Sequence, residues 1–202
     1  MATFAELKAA VLARGFNRLT DGQRGEYVNS AITEVDGAYP WPYRLTTTSG
    51  TAPLTVSTLG EIDSVENTTQ DYQLEPVPRK LLLDWYGDLS RTGSPQFYFV
   101  NWSAGSQTVT TYPTNSDSLS VRHYAIPTAL SAAGDTPAAP ARFHLSVYVP
   151  VACRMAASDS GGDPSRFEAD AQRGIETMML ALLPDQLSGQ VQRVDWSSAA
   201  DW

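Results

Sequence analysis

The sequence predicts an α+β fold: a small antiparallel helical bundle drawn from both ends of the chain, with an antiparallel β domain, a sandwich or small barrel, inserted between them. Three observations predict it. Apolar residues recur at helical spacing up to Tyr39-Pro40-Trp41-Pro42 and again from Pro140-Ala141-Arg142-Phe143-His144. The residues between are short Thr, Val, Leu and Tyr runs punctuated by Gly, Pro, Asn and Asp, the texture of strands and turns. Short helices do not bury their apolar stripes alone, so the two helix pairs are expected to pack together with the β region protruding. The expected bounds are 1–42 and 138–186 for the bundle, 43–137 for the β domain and 187–202 for a C-terminal tail.

The first helix is placed at 4–14 by Phe4, Leu7, Val11 and Leu12, with Gly15 as a stop. A second follows Thr20-Asp21, either of which suits an N-cap, and carries Tyr27, Val28, Ala31, Ile32 and Val35 until Gly37 and Pro40 end it. Strands are expected at 54–58, 60–65, 72–74, 96–102, 107–112 and 118–125. The run Arg79-Lys80-Leu81-Leu82-Leu83-Asp84 fits a helical turn or two better than a crossover. Residues 127–140, rich in Pro, Ala, Ser and Gly, read as a linker. A third helix over 141–158 carries Phe143, Leu145, Val147, Tyr148, Val151, Met155 and Ala156, and Pro150 inside it predicts a kink. Asp163-Pro164 then caps a fourth helix striped by Phe167, Ala171, Ile175, Met178, Met179 and Leu182 and ended by Pro184.

Composition narrows the function. The 202 residues carry a net charge of −8, and the 14 basic residues are dispersed, which argues against nonspecific duplex binding. A single cysteine, Cys153, rules out a disulfide or a cysteine metal cluster within one chain and is expected to be a small core hydrophobe. With no basic segment leading an apolar run at the N-terminus and no long apolar stretch, neither a standard secretion signal nor a membrane span is expected.

No catalytic constellation emerges. His123 and His144 lack the spacing that places two ligands on one face, so each is expected to be a hydrogen-bonded structural residue. No G-x-S-x-G elbow is present, and Gly161-Gly162 lacks the Lys of a phosphate loop. The carboxylates Glu61, Asp63 and Glu66, and Asp84 and Asp88, fit a solvated surface better than a glycosidase pair. Tyr39-Pro40-Trp41-Pro42-Tyr43 reads as a rigid apolar joint, with a stacking platform as the functional alternative. The chain is expected to be no enzyme and to take no cofactor and no metal. In the tail, small and polar residues surround Val191, Val194, Trp196 and Trp202, which suit either a tail folded back on its own subunit or interface anchors on a partner.

Several short motifs, taken in order, carry a resemblance. They are Trp41 closing the second helix, Gly93-Ser94-Pro95-Gln96-Phe97-Tyr98, Tyr112-Pro113, Val121-Arg122-His123-Tyr124-Ala125 before the Pro-rich return, Phe143-His144, and Gly162-Asp163 before the last helix. In this order they resemble the head-to-tail adaptor proteins of tailed bacteriophages, also called head-completion or connector proteins, over roughly residues 4 to 186. The resemblance implies a structural virion protein: a homo-oligomeric ring of about twelve copies that joins the portal protein to the tail, assembled in the host cytoplasm. It also implies a C-terminal segment that docks on a partner ring, with Val191, Val194, Trp196 and Trp202 as its portal- or tail-binding residues. Excess acid would let DNA pass the channel without specific binding. The alternative reading is a carbohydrate-binding or cell-wall-acting β-rich module, which a flat row of exposed aromatic rings on one sheet face would favour.

Overall fold

The structure, a computed structural model, describes residues 1–103 and 106–183. It is α+β, with two compact units. One joins Met1–Val35 to the described chain from Leu130 on, and the other is Asp36–Ala129.

In the helical unit, α1 (Phe4–Ala13) begins with a reciprocal cap. The Glu6 N–H donates to Thr3 Oγ1 at 3.3 Å while the Thr3 N–H donates to Glu6 Oε2 at 2.7 Å, so two orphan donors of the first turn are satisfied. Helix α2 (Asp21–Ala38) repeats the device with Thr20 and Gln23, at 3.2 and 2.9 Å, which settles the expected cap on Thr20. The buried faces are Phe4, Leu7 and Val11 on α1 and Val28, Ala31, Ile32 and Val35 on α2.

The third helix differs from expectation. A single 3-10 turn, Ala141–Phe143, leads into a π turn, His144–Tyr148, and only then does α4 (Val149–Asp159) start, with Pro150 in its first turn. Proline has no N–H to donate and crowds the carbonyl four residues back, so it is tolerated at a helix start and not in its interior. The wider π turn absorbs the mismatch ahead of it. The change of winding also rotates Leu145, expected on the buried stripe, out to 51% exposure.

Asp163 Oδ1 accepts the Ser165 N–H at 2.9 Å just ahead of α5 (Ser165–Leu182), whose N-cap position is held by Pro164 and not, as expected, by Asp163. Phe167, Ala171, Ile175 and Met178 form its buried stripe, packed on α4 and the π turn. Gly174 sits where they meet, and a Cβ there would overlap the Ser146 carbonyl oxygen. Cys153 is fully buried, and burial pushes its thiol up to about 11.

The second unit is a two-sheet sandwich with one helix against it. One sheet has the order β1 (Leu45–Thr51), β8 (Ser118–Ala125), β3 (Leu59–Asn67), β4 (Tyr72–Gln73); the other has β2 (Leu54–Val56), β7 (Ser106–Tyr112), β6 (Phe97–Ser103), β5 (Glu75–Pro76). All pairs are antiparallel except β5 with β6. Alternation on β6 sends Tyr98 into the core between the sheets, with Val56, Leu59, Val65, Leu74, Val109, Leu119 and Val121. Phe99, on the opposite face, meets Val77, Tyr112 and Leu82 of α3 (Arg79–Tyr86) in a second cluster. The Leu-rich run is therefore a helix, closed at Gly87 in the left-handed region at φ 70°. Two strands were not expected: β1, which is Thr-rich without alternation, and β5, which is two residues long.

Candidate partner-binding surfaces

The residues singled out for chemistry fall into structural roles. His144 is buried, with Nδ1 3.1 Å from the Ala2 carbonyl and Nε2 2.7 Å from that of Ala139, so it ties two chain segments to the helical unit. His123 is buried on the central strand β8, with Nε2 3.1 Å from Thr48 Oγ1 across the pair with β1. Its Nδ1 has no hydrogen-bond partner. Burial pushes its imidazole below the ordinary range, with a weaker opposing pull from the Tyr124 backbone. Among the described residues, no group of His, Cys, Asp or Glu is arranged to hold a metal.

The carboxylates are spread over the surface. Glu61, Asp63 and Glu66 are exposed along β3, where Asp63 pairs with Arg122 at 3.2 Å. Asp84 is exposed on α3, and Asp88 accepts the Ser90 hydroxyl and N–H, which together hold its carboxyl below the usual range. A general acid needs the opposite shift. A cleft of the helical unit, about 660 Å³, is lined by Tyr27, Arg154, Asp159 and Glu168 among others. Its polar groups answer one another: Arg154 pairs with Glu34 at 2.5 Å and Glu168 at 3.7 Å, and the Tyr27 hydroxyl donates to Asp159 at 3.0 Å.

The aromatic-proline cluster lies inside the β unit. Trp41 is fully buried, 5.2 Å from Tyr39 edge-on and 6.1 Å from Tyr43 in a stack. The Tyr43 hydroxyl donates to Asp36 at 2.7 Å, and Arg44 donates to the carbonyls of Ala125, at 2.8 Å, Tyr39 and Asp36. A ring with no exposed face is no stacking platform.

Two of the short sequence motifs meet in space. Gly93, Ser94, Gln96 and Phe97 line a pocket of about 200 Å³ together with Tyr112 and Pro113. The Gln96 N–H donates to the Tyr112 carbonyl at 3.0 Å, and Thr92 bridges Thr114. Both motifs thus serve the start of β6 and the end of β7.

What remains exposed is aromatic and apolar. Trp85 and Tyr86, 54% and 44% exposed, stand at 83° to each other on α3 and lean on Phe97 and Tyr112. Trp102, at the far end of β6, is 72% exposed. Trp85 and Tyr86, crossed at 83°, do not make a flat row of the kind that would favour sugar stacking. Sequence reasoning did not single out these rings, which come from α3 and β6. The anchors Val191, Val194, Trp196 and Trp202 lie outside the described residues. Among the described residues, no helix is long and apolar enough to cross a membrane.

No curated protein matches the chain. The family model of the SU10 adaptor protein matches residues 2–201, spanning both units, and the chain belongs to that family of bacteriophage adaptor proteins.

Proposed function

We propose that this adaptor is a head-to-tail subunit: copies of it close into a ring of about twelve between the portal protein and the tail, and DNA passes through the opening without specific contact. The observation that carries this reading is the family match over nearly the whole chain. Three properties support it. Aromatic and apolar side chains such as Trp85, Tyr86 and Trp102 stand exposed among the described residues, the polar groups of the cleft in the helical unit pair with one another, and the net charge of −8 suits a surface past which DNA slides. The chain's work is then geometric, and it belongs to the assembled virion. Val191, Val194, Trp196 and Trp202 are its portal- or tail-binding anchors in this reading, because tryptophans surrounded by Ser, Gly, Gln and Ala gain most by burial on a partner.

Negative-stain imaging of the purified chain, alone and mixed with its portal, tests the proposal. Rings coaxial with the portal are expected; a chain that stays monomeric with the portal present overturns it.

A further inference from the structure

The β unit protects some of its strand edges and leaves others bare. β2 is three residues long, β4 and β5 are two, and β5 ends on Pro76. β3 carries Glu61, Asp63 and Glu66 and shifts register between Ile62 and Ser64. Shortness, proline, charge and irregular register all blunt an edge against added strands. Two edges lack every one of these features. β1 ends its sheet over the seven residues Leu45–Thr51 without charge, proline or register shift. β6 is equally free of them from Phe97 to Ser103, and β5 covers it only at Phe97 and Tyr98.

The two bare edges lie on opposite flanks of the sandwich. β1 packs beside β2 on one flank. On the other, an apolar groove of about 400 Å³ opens between Leu59 and Ile62 of β3 and Val100 and Trp102 of β6. Their backbone groups are complementary. The Ala52 N–H bonds the Asp117 carbonyl, so bonding to β8 alternates back through Gly50 and Thr48, and Thr47 and Ser49 turn their N–H and C=O groups to the free side. The Tyr98 carbonyl accepts the Val77 N–H at 3.0 Å, so by the same alternation Val100 and Trp102 present theirs on the β5 side, past its end. Among the described residues no strand takes up either set.

We propose that β1 of one copy of this chain pairs antiparallel with β6 of a second copy, Thr47 opposite Trp102 and Ser49 opposite Val100. Because the edges lie on opposite flanks, the contact is heterologous: each copy gives one edge and receives on the other, and the repeat closes a ring or runs on as a filament. Like-with-like pairing would stop at two copies and leave each copy's second edge bare. Directly opposed residues share a face of the sheet, so the exposed Thr47 and Ser49 side chains fall on the groove side. Thr47 then covers the indole of Trp102, which is 72% exposed in the single chain. This rests on the reading of the chain as a ring subunit and names the two edges that join neighbours.

Residues that exchange hydrogen bonds across antiparallel strands lie about 5.5 Å apart at Cα, within reach of a disulfide. Cys153 is fully buried and stays out of the reaction. The full-length chain carrying both Ser49→Cys and Val100→Cys, mixed with its portal and oxidised, should give a ladder of covalent oligomers on non-reducing gels, and a chain carrying either substitution alone should give none. Absence of the ladder overturns the proposal. So does a single variant that cross-links to itself, because like edges are then paired. Independently, Thr47→Pro removes an N–H that faces away from β8, and Trp102→Lys puts a charge on the β6 edge. Both should leave the melting temperature nearly unchanged while weakening ring assembly on the portal at least tenfold in sedimentation. Rings that persist in both variants overturn the edge pairing and leave the ring reading standing, whereas an unaltered chain that forms no oligomer with the portal overturns both.

Discussion

His123 sits in the middle of a sheet with one ring nitrogen on Thr48, and burial disfavours a proton added to the ring more than the Tyr124 backbone favours it. Its folded pKa lies below the ordinary 6.5, hence the unfolded chain binds the proton more readily. Stability is then full above about pH 6.5, falls as pH drops through that value, and levels off once the folded form is itself protonated. Melting temperature measured from pH 7.5 to 5 should show this fall, and His123→Gln should flatten it; an unchanged slope assigns the fall elsewhere. Ile175 illustrates the plainer case. It is 2% exposed in the α5 stripe, and Ile175→Ala should cost on the order of 2–5 kcal/mol in denaturant unfolding, through lost burial and a cavity.

At the scale of elements, the sequence was most legible where a local rule governs. Thr20 before α2, Asp163 before α5, and the period of Phe167, Ala171, Ile175 and Met178 all act within one helix, so local rules find them; the Thr3–Glu6 and Thr20–Gln23 pairs obey an equally local rule but were not singled out. Strand β1 was missed because Leu45-Thr46-Thr47-Thr48 lacks alternation and is held by the whole length of β8. The winding over 141–148 was missed because the accommodation of Pro150 falls ahead of the proline, where no residue type announces a π turn. Close packing is legible only in three dimensions. Replacing a mid-helix Gly by Ala ordinarily gains up to about 1 kcal/mol. Gly37→Ala, in the last turn of α2 with open space around it, should gain in the same direction by a smaller amount. Gly174→Ala should reverse it, because the Ser146 carbonyl belongs to backbone and has no rotamer to escape into. Thermal unfolding of the two variants should move in opposite directions, and a stabilised Gly174→Ala would mean that α5 and the π turn part easily.

At the scale of the whole molecule, the order of textures made the fold class legible, and a set of weak motifs in sequence made the family so. The motifs worked because several are architectural: Gly93–Tyr98 and Tyr112-Pro113 converge on one strand junction, where the fold restricts what is tolerated. The exposed edge of β6 gave no such signal, since the absence of charge on Phe97–Ser103 gains meaning only when β5 is seen to stop at Pro76.

The last prediction concerns residues 187–202. They follow Pro184, a helix stop, and combine small polar residues with the apolar anchors Val191, Val194, Trp196 and Trp202. Such a composition supplies no core of its own. Deleting 187–202 should therefore change the melting temperature little. Docking must offset the entropy of ordering the segment, and the area to do so resides chiefly in Trp196 and Trp202. The truncated chain should consequently be captured more weakly by immobilised portal, and Trp196→Ala should reproduce much of that loss. A truncated chain that unfolds makes the segment part of the fold, and one captured as tightly as the full chain moves the portal contact to the described surface, where the faces carrying Trp85, Tyr86 and Trp102 would be the next to test.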